Sequence, residues 1–251
     1  MAAYTQQFYE DQSGGSARSA VAVLPHVFKI CGTPTSILDV GCGVGTWLRA
    51  GKDLGVPTVV GVDGSYVDRA SLKIAASEFV AHDMSTPLDL RTKFDLVMSL
   101  EVAEHLAEPF ARTFVDSLVR HGDIIFFAAA IPGQGGTHHV NEQWPSYWMD
   151  LFAMHGYELF DAVRPMVWQD PSIEPWYRQN ALVFASGSAA SHLRDHLRRG
   201  AVAEMPVLDV VHPAVFELKA LERDGARSRR VAGRLRSAAA RLRGGGSVPS
   251  R

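Results

Sequence analysis

A glycine-rich turn between an apolar run and a helical pattern constrains the fold of this chain more than any other feature. The apolar run that begins at Ile37 ends at Asp39, and glycines follow at Gly41, Gly43 and Gly45. A strand, a tight turn and the start of a helix are predicted here. Because glycine has no Cβ, the backbone of such a turn can pass close to a ligand. We therefore expect a flat, polar ligand to lie across the turn.

Two later apolar runs also end in carboxylates. The run at 58–62 ends in Asp63, about twenty residues after the glycines, where an acidic residue suits a ribose diol. The run at 78–82 ends in Asp83, which is placed to meet an adenine amino group beside Met84. Three strand ends that each close on a carboxylate predict an adenosine site.

At this point the chain resembles the class I S-adenosylmethionine-dependent methyltransferases, whose first motif looks like Leu38-Asp-Val-Gly-Cys-Gly-Val-Gly45. The resemblance covers roughly residues 35–186 and implies S-adenosyl-L-methionine as the cofactor, with NAD(P) as the competing assignment. The cofactor-binding residues that it implies are Asp39, Gly41, Gly43, Gly45, Asp63, Asp83, Met84 and Glu101.

The order of the remaining patterns predicts the fold class. Apolar runs at 94–100, 123–128, 157–160 and 181–185 predict further strands, with helical spacing between several of them. The expected fold is α/β: a Rossmann-like, seven-stranded, mostly parallel sheet with helices on both faces, plus a C-terminal helical appendage. Ligands of such sheets bind at the carboxyl ends of the strands.

Charge and composition suggest four segments. Residues 1–189 hold 12 basic against 21 acidic side chains, whereas residues 190–251 hold 13 against 6. We expect an N-terminal lid or frayed end at 1–20 with Gly14-Gly15 as a hinge, and a methyltransferase domain at 21–189 whose first helix covers 17–30. A basic helical extension at 190–243 and a disordered tail at 244–251 follow. The arginine-rich extension suits a solvated face or the packing surface of a homodimer, and an anionic partner is the alternative.

Composition also excludes several classes. No apolar run approaches the roughly 18 residues of a membrane span, and the N-terminus lacks the pattern of a signal peptide. The two cysteines do not suggest a disulfide framework. We therefore predict a cytoplasmic protein without a membrane span. The acidic body argues against a large nucleic-acid surface.

Two histidine-containing features bear on the chemistry of the acceptor. On a helix leaving the fourth strand, Glu101, Glu104 and His105 would share one face and offer three ligands to a divalent cation. The pair His138-His139 follows the fifth strand and supplies a further ligand or a general base. The alternative is that no metal binds and one histidine activates the acceptor alone.

The E-x-x-E-H pattern resembles that of the small-RNA 3′-terminal 2′-O-methyltransferases and of the ubiquinone-pathway O-methyltransferases. That resemblance implies Glu101, Glu104, His105 and His139 as ligands of a divalent cation such as magnesium. His138 would then be the general base, and the register between the two histidines stays open at this point.

Aromatic residues after the fifth strand indicate where an acceptor binds. They are Trp144, Tyr147, Trp148, Trp168, Trp176 and Tyr177, and half of them are expected in the core. A vicinal diol suits both the cation and aromatic walls, so a saccharide or glycosylated metabolite is the first choice of acceptor. A catechol-like phenol is the second and RNA the third. A non-catalytic cofactor-binding module is the competing function.

Overall fold

The computed structural model describes residues 6–200, 205 and 207–221, with side chains from residue 14 onward. Seven strands are present, each where an apolar run predicts one. They are β1 (Ser36–Val40), β2 (Thr58–Asp63), β3 (Phe79–Ala81), β4 (Leu96–Leu100), β5 (Ile124–Ala128), β6 (Tyr157–Phe160) and β7 (Leu182–Ser186).

The strands form one sheet in the order β3-β2-β1-β4-β5-β7-β6. All pairs from β3 to β5 are parallel, and β7 runs antiparallel to both β5 and β6. The central strand is β1, where Ile37 lies opposite Val59 of β2 and Leu96 of β4. The predicted fold class, a mostly parallel seven-stranded sheet, is confirmed.

Seven α-helices accompany the sheet between residues 6 and 200 of the described chain. They are α1 (Gln6–Cys31), α2 (Thr46–Asp53), α3 (Ala111–His121), α4 (Pro145–Ala153), α5 (Arg164–Val167), α6 (Pro175–Asn180) and α7 (Gly187–Gly200). Alternate strand residues bury into two separate cores, because successive side chains point to opposite faces. Ile37 joins the core that contains Leu24 of α1 and Leu193 of α7. Leu38 joins the core that contains Phe114 of α3 and Phe152 of α4. Helices therefore cover both faces, as expected.

The N-terminal helix differs from the prediction. It begins at Gln6 instead of residue 17 and continues without a break through Gly14 and Gly15. The Ser19 hydroxyl donates a hydrogen bond to the Gly15 carbonyl at 2.8 Å, which suits a continuous helix at this point. The polar residues before position 17 show no apolar periodicity, so the sequence gives no signal for this first part of the helix. A lid role for residues 1–20 stays a prediction.

The segment that follows α7 returns to the domain. Arg164 donates to the Leu208 carbonyl at 2.9 Å, and Gln179 donates to the Val210 carbonyl at 2.8 Å. The Ser146 hydroxyl donates to the Asp209 carboxylate at 2.6 Å. One compact unit accordingly reaches His212, well beyond the boundary expected at residue 189.

The second unit begins at Pro213, and its described residues, 213–221, are helical. Within the predicted helical extension at 190–243, the structure describes helix in two places, α7 and residues 213–221. The rest of the basic extension and the predicted tail at 244–251 lie outside the described residues. None of the helices in the described part of the chain combines the length and apolar character that a bilayer crossing requires.

Candidate active site

A cavity of about 910 Å³ opens at the carboxyl ends of β1, β2, β3 and β4. Its walls come from the glycine loop after β1, the turns after β2, β3 and β4, the loop after β5, and the α6 residues Trp176 and Tyr177. This is the edge at which ligands of parallel α/β sheets bind. The cavity volume lies at the upper end of the range usual for small-molecule sites.

The glycine loop has the left-handed backbone that glycine tolerates. The φ angles are 87° at Gly41, 53° at Gly43 and 81° at Gly45. A Cβ at Gly41 would overlap the side chain of Val102, which follows β4. Both the backbone conformation and the close packing therefore require glycine at position 41.

Two buried aspartates lie beneath this loop. Asp63 accepts hydrogen bonds from the Gly43 and Gly64 backbone N–H groups, each at 2.6 Å, and from the Tyr66 hydroxyl at 2.7 Å. Burial raises the pKa of Asp39 to about 8, with a further contribution from the charge of Asp63. Burial also raises the pKa of Asp63, which its three hydrogen bonds partly offset. Tyr66 lines the cavity, and no motif in the sequence singles it out.

Asp83 and Met84 line the same cavity just after β3. Asp83 is exposed, and one of its carboxylate oxygens accepts from the backbone N–H and the hydroxyl of Ser85 at 2.9 and 2.7 Å. Those hydrogen bonds hold the pKa of Asp83 below its ordinary value. The structure thus brings predicted cofactor-binding residues of all three strand ends to one cavity, but Gly45 is not part of its lining.

Glu101 lies at the end of β4 with an unusual backbone, at a φ of 58°. Its two carboxylate oxygens accept hydrogen bonds from the side-chain amides of Asn180 and Gln134, each at 2.8 Å. Burial raises the pKa of Glu101 to about 7, and the two amides act in the opposite direction. Neither amide belongs to a recognisable motif, so sequence reasoning missed both Gln134 and Asn180.

The segment after Glu101 is not the helix that the sequence suggested. Only Ala103–His105 form a single 3₁₀ turn, and Glu101 precedes it in a left-handed conformation. The expectation that Glu101, Glu104 and His105 share one helix face therefore does not describe this turn.

Glu104 is fully buried, and among the described residues neither of its carboxylate oxygens has a well-formed hydrogen bond, although the Glu101 carboxyl lies close enough to interact with it. Burial raises its pKa well above the ordinary value, and the charge of Glu101 raises it further. The backbone groups of Glu104 and Ala130 favour the ionised form, but neither makes a well-formed hydrogen bond to the carboxylate. An orphaned buried carboxyl is costly, which points to a ligand or cation as its partner.

His139 and His105 complete a cluster around this carboxyl. The Nε2 atom of His139 lies 4.0 Å from Oε1 of Glu104, and the two imidazole rings meet edge to face with centroids 4.9 Å apart. One ligand atom from each of Glu104, His105 and His139 lies within 4.8 Å of the other two. Burial lowers the pKa of His105 to about 4, so its imidazole is neutral at pH 7. Neutral imidazoles and a carboxylate are the donors that a divalent cation requires.

Glu142 fixes the orientation of His139. Its Oε1 atom lies 2.9 Å from Nδ1 of His139, and its carboxylate also accepts the backbone N–H groups of Gly133 and Gly135. Because a carboxylate only accepts, Nδ1 carries the proton in the neutral ring and Nε2 presents its lone pair. Metal-binding histidines commonly have such a carboxylate partner. Glu142 lies three residues after His139 in the sequence, but the sequence analysis assigns it no role.

His138 occupies a different environment from His139. It is exposed, has a φ of 60°, and does not line the cavity, whereas His139 does. Of the predicted pair, His139 is the residue that the structure brings to Glu104.

The predicted aromatic residues only partly divide between core and cavity. Trp176 and Tyr177 line the cavity, while Trp148 is buried against Phe127 with ring centroids 5.2 Å apart. The other three, Trp144, Tyr147 and Trp168, are exposed or half-buried and do not line the cavity. Trp47, at the start of α2, also lines the cavity and meets Tyr177 edge to face at 4.9 Å. Sequence reasoning treated position 47 only as part of the helix start.

Known proteins resemble this chain over the same region. The family described as a methyltransferase domain matches residues 15–163. A ubiquinone biosynthesis O-methyltransferase from Nitrobacter winogradskyi is 32% identical over 125 residues, which are 47% of this chain and 43% of that protein. The chain therefore spans less than half the length of that curated relative.

Solved structures share the fold at low sequence identity. The sugar N-methyltransferase KedS8 from Streptoalloteichus sp. ATCC 53650 has a TM-score of 0.57 and 18% identity, covering 74% of this chain and 96% of that one. CalS10, an amino pentose methyltransferase from Micromonospora echinaspora solved with S-adenosylmethionine bound, has a TM-score of 0.53 and 18% identity, covering 73% and 98%. The methyltransferase-domain match, residues 15–163, covers more than half of the 251-residue chain. The chain therefore belongs to the methyltransferase domain family and has the fold of S-adenosylmethionine-dependent methyltransferases.

Proposed function

We propose that the protein is a divalent-cation-assisted, S-adenosylmethionine-dependent O-methyltransferase. Its acceptor is a hydroxyl of a vicinal diol on a sugar, oligosaccharide or glycosylated metabolite, with a catechol-like phenol as the alternative. The observation that carries the proposal is the fully buried Glu104 carboxyl, which has no well-formed hydrogen bond among the described residues and whose Oε1 atom lies 4.0 Å from Nε2 of His139.

The residues present fit a hard or borderline divalent cation. One carboxylate and two imidazoles suit magnesium, manganese or zinc, and three protein ligands leave positions for acceptor oxygens. Glu104, His105 and His139 would hold the cation. Glu101, which the resemblance also implies as a ligand, is not part of this cluster, and each of its carboxylate oxygens already accepts a hydrogen bond from the amide of Gln134 or Asn180. When bound, the cation would lower the pKa of a hydroxyl and fix its oxygen.

His139 can have only one of its two predicted roles at a time. Nδ1 is hydrogen-bonded to Glu142, so Nε2 is the one ring nitrogen left to bind a cation or to accept a proton. With the cation bound, His139 is a ligand and not the general base. Without it, Nε2 is the atom placed to remove the acceptor proton. His138 as a base requires movement of the loop, because it lies outside the cavity lining.

The chain's other residues position the two substrates. The glycine loop and Asp63 hold the nucleoside end of the cofactor, and Trp176 and Tyr177 form an apolar wall for a sugar or aromatic ring. Methyl transfer is an in-line displacement, so this alignment supplies much of the rate. The name of the curated relative from Nitrobacter supports oxygen as the methylated atom.

The test compares two adjacent histidines in the full-length protein. Purified wild type, His138→Ala and His139→Ala are assayed for S-adenosylhomocysteine formation with methyl glycosides and catechols, with magnesium or with EDTA. We expect turnover in wild type that EDTA removes, that His139→Ala reduces at least a hundredfold, and that His138→Ala leaves within a few-fold.

Other outcomes would contradict parts of the proposal. Turnover insensitive to EDTA but lost in His139→Ala would replace the cation with a histidine base. Cofactor binding with no turnover on any acceptor would favour the non-catalytic module. A cytoplasmic location and a homodimer are further proposals, and sedimentation of the full-length protein tests the second.

A further inference from the structure

The side chains that line the cavity are strongly biased in charge. Five carboxyl groups line it, those of Asp39, Asp63, Asp83, Glu101 and Glu104. Across the described part of the chain, neither lysine nor arginine contributes to the lining. Among the described residues, an anionic group that lies away from the proposed cation would thus find neither a lysine nor an arginine with which to pair.

Nearby residues do not supply the missing positive charge. Arg18 lies half a turn of α1 beyond Ser16, which lines the cavity, but its guanidinium pairs with Glu174 at 3.2 Å and does not line the cavity. The thirteen residues that open the chain contain Glu10 and Asp11 and neither lysine nor arginine.

Backbone amides are the second way in which proteins bind anions, and here several are already occupied. In the loop after β5, the N–H groups of Gly133 and Gly135 donate to the carboxylate of Glu142. In the glycine loop, the Gly43 N–H donates to Asp63. Consecutive amides in such loops often form an anion-binding nest. In this protein an internal carboxylate fills each of those positions.

From these two observations we infer that the diol acceptor is an uncharged or cationic molecule, and that phosphorylated, nucleotide-linked or carboxylated diols are rejected. The inference rests on the proposed function and narrows its substrate class. Burying an anion without a cationic or amide partner is costly, and like charges placed nearby act as negative selection against it. The number of ionised carboxyls is secondary, because an anionic group remote from the diol, and therefore from the cation of the proposed function, has no basic side chain beside it in the described lining.

The test uses three diols that differ only in a remote group. They are 4-(2-hydroxyethyl)catechol, which is neutral, 4-(2-aminoethyl)catechol, which is cationic, and 3,4-dihydroxyphenylacetate, which is anionic. Two methylenes separate the hydroxyl or ammonium group from the ring and one separates the carboxylate, so the reactivity of the catechol hydroxyls is nearly equal. A sugar pair, methyl α-D-glucopyranoside and methyl α-D-glucopyranosiduronate, repeats the comparison with a different scaffold.

We expect kcat/KM of the full-length enzyme with magnesium at low ionic strength to be at least tenfold higher for the neutral and cationic diols than for the anion. The difference should narrow as salt rises, because salt screens charge interactions. Ser16→Lys, which adds a cation at the cavity wall, should raise the anion's relative kcat/KM, whereas Ser16→Gln, a long neutral control, should not.

The outcomes distinguish the inference from the proposed function. If the anionic diol reacts as fast as its neutral partner, the inference is overturned while the proposed function stands. If the protein binds S-adenosylhomocysteine but methylates no member of either series, the proposed function fails and the inference fails with it.

Discussion

Replacing the orphaned carboxyl of Glu104 should stabilise the cation-free protein while removing the cation site. Within the described part of the chain, Glu104 is fully buried without a well-formed hydrogen bond, and its pKa is raised well above the ordinary value. Glu104→Leu keeps a side chain of similar size and removes the polar group. Glu104→Gln keeps the shape and removes only the negative charge.

The magnitude follows from the cost of an unsatisfied buried polar group, about 1–3 kcal/mol. For domains of roughly this size, 1 kcal/mol shifts Tm by about 2–4 °C. Glu104→Leu should therefore raise Tm in EDTA by about 2–12 °C. A residue that stabilises the fold would show the opposite sign, so the direction alone is informative.

Calorimetric melting in EDTA and in excess magnesium provides the assay. At a magnesium concentration one hundred times Kd, binding stabilises wild type by about 2.7 kcal/mol, whereas both Glu104 variants should gain nothing. Glu158→Gln is the matched control, because Glu158 is an exposed carboxylate of β6 that pairs with Arg194 of α7. The melting temperature of this variant should respond to magnesium as that of wild type does. Because a proton competes for the raised-pKa carboxyl, magnesium affinity should also increase as pH rises.

A drop in Tm for Glu104→Leu in EDTA would refute this reasoning. It would mean that the Glu104 carboxyl has internal partners and contributes to folding. Loss of the magnesium response in Glu158→Gln would show that the response arises from general surface charge.

Three further predictions concern the fold around the site. Gly41→Ala should lower the unfolding free energy more than Gly55→Ala does. Gly55 is also left-handed but has open space around it, so its substitution should cost about 1–2 kcal/mol. Adding Val102→Ala to Gly41→Ala should recover most of the difference, whereas equal costs of the two glycine substitutions in urea unfolding would contradict the predicted overlap. Burial raises the pKa of Asp39 from its ordinary 3.8 to about 8, so the folded state retains a proton that the unfolded state releases. As pH rises from about 4 to about 8, the unfolding free energy of the cofactor-free protein should therefore fall by up to about 1.4 kcal/mol per pH unit. Asp39→Asn should reduce this dependence on pH, and urea unfolding at a series of pH values measures it. Gln179→Ala removes buried hydrogen bonds to the segment at 207–212 and should cost about 1–3 kcal/mol with faster amide hydrogen exchange there, while unchanged exchange would show that the segment is held by other contacts.

The sheet could be predicted because each of its strands carries a local signal. All seven strands coincide with an apolar run. Helices cover both faces of this sheet, so its strands need apolar side chains on both faces. The first part of α1 could not be predicted, because Gln6 to Ser16 has no apolar periodicity. The prediction of a helix that begins at Glu101 was also wrong, since the structure has only a 3₁₀ turn at Ala103–His105 there. The left-handed backbone at Glu101 depends on its neighbours rather than on its own residue type.

The site was predictable only where a motif carried it. Gly41 and Asp63 follow from spacing, because a turn and a strand end are local features. Gln134 and Asn180 are 33 and 79 residues from the Glu101 carboxylate that they clamp, and an amide at such a distance leaves no pattern in the sequence. The choice between His138 and His139 likewise required the loop's path, because adjacent residues differ in orientation.

The sequence alone determined the seven strands, the glycine turn and the carboxylates at the strand ends, because hydrophobic periodicity and glycine act over a few residues. Tertiary structure alone decided that Glu104 is buried without a well-formed hydrogen bond, that Glu142 orients His139 toward it, and that the cavity wall lacks basic side chains in the described residues. The physical reason is that burial, pairing and cavity charge are sums over elements that are distant in the chain. Local sequence patterns do not record those sums.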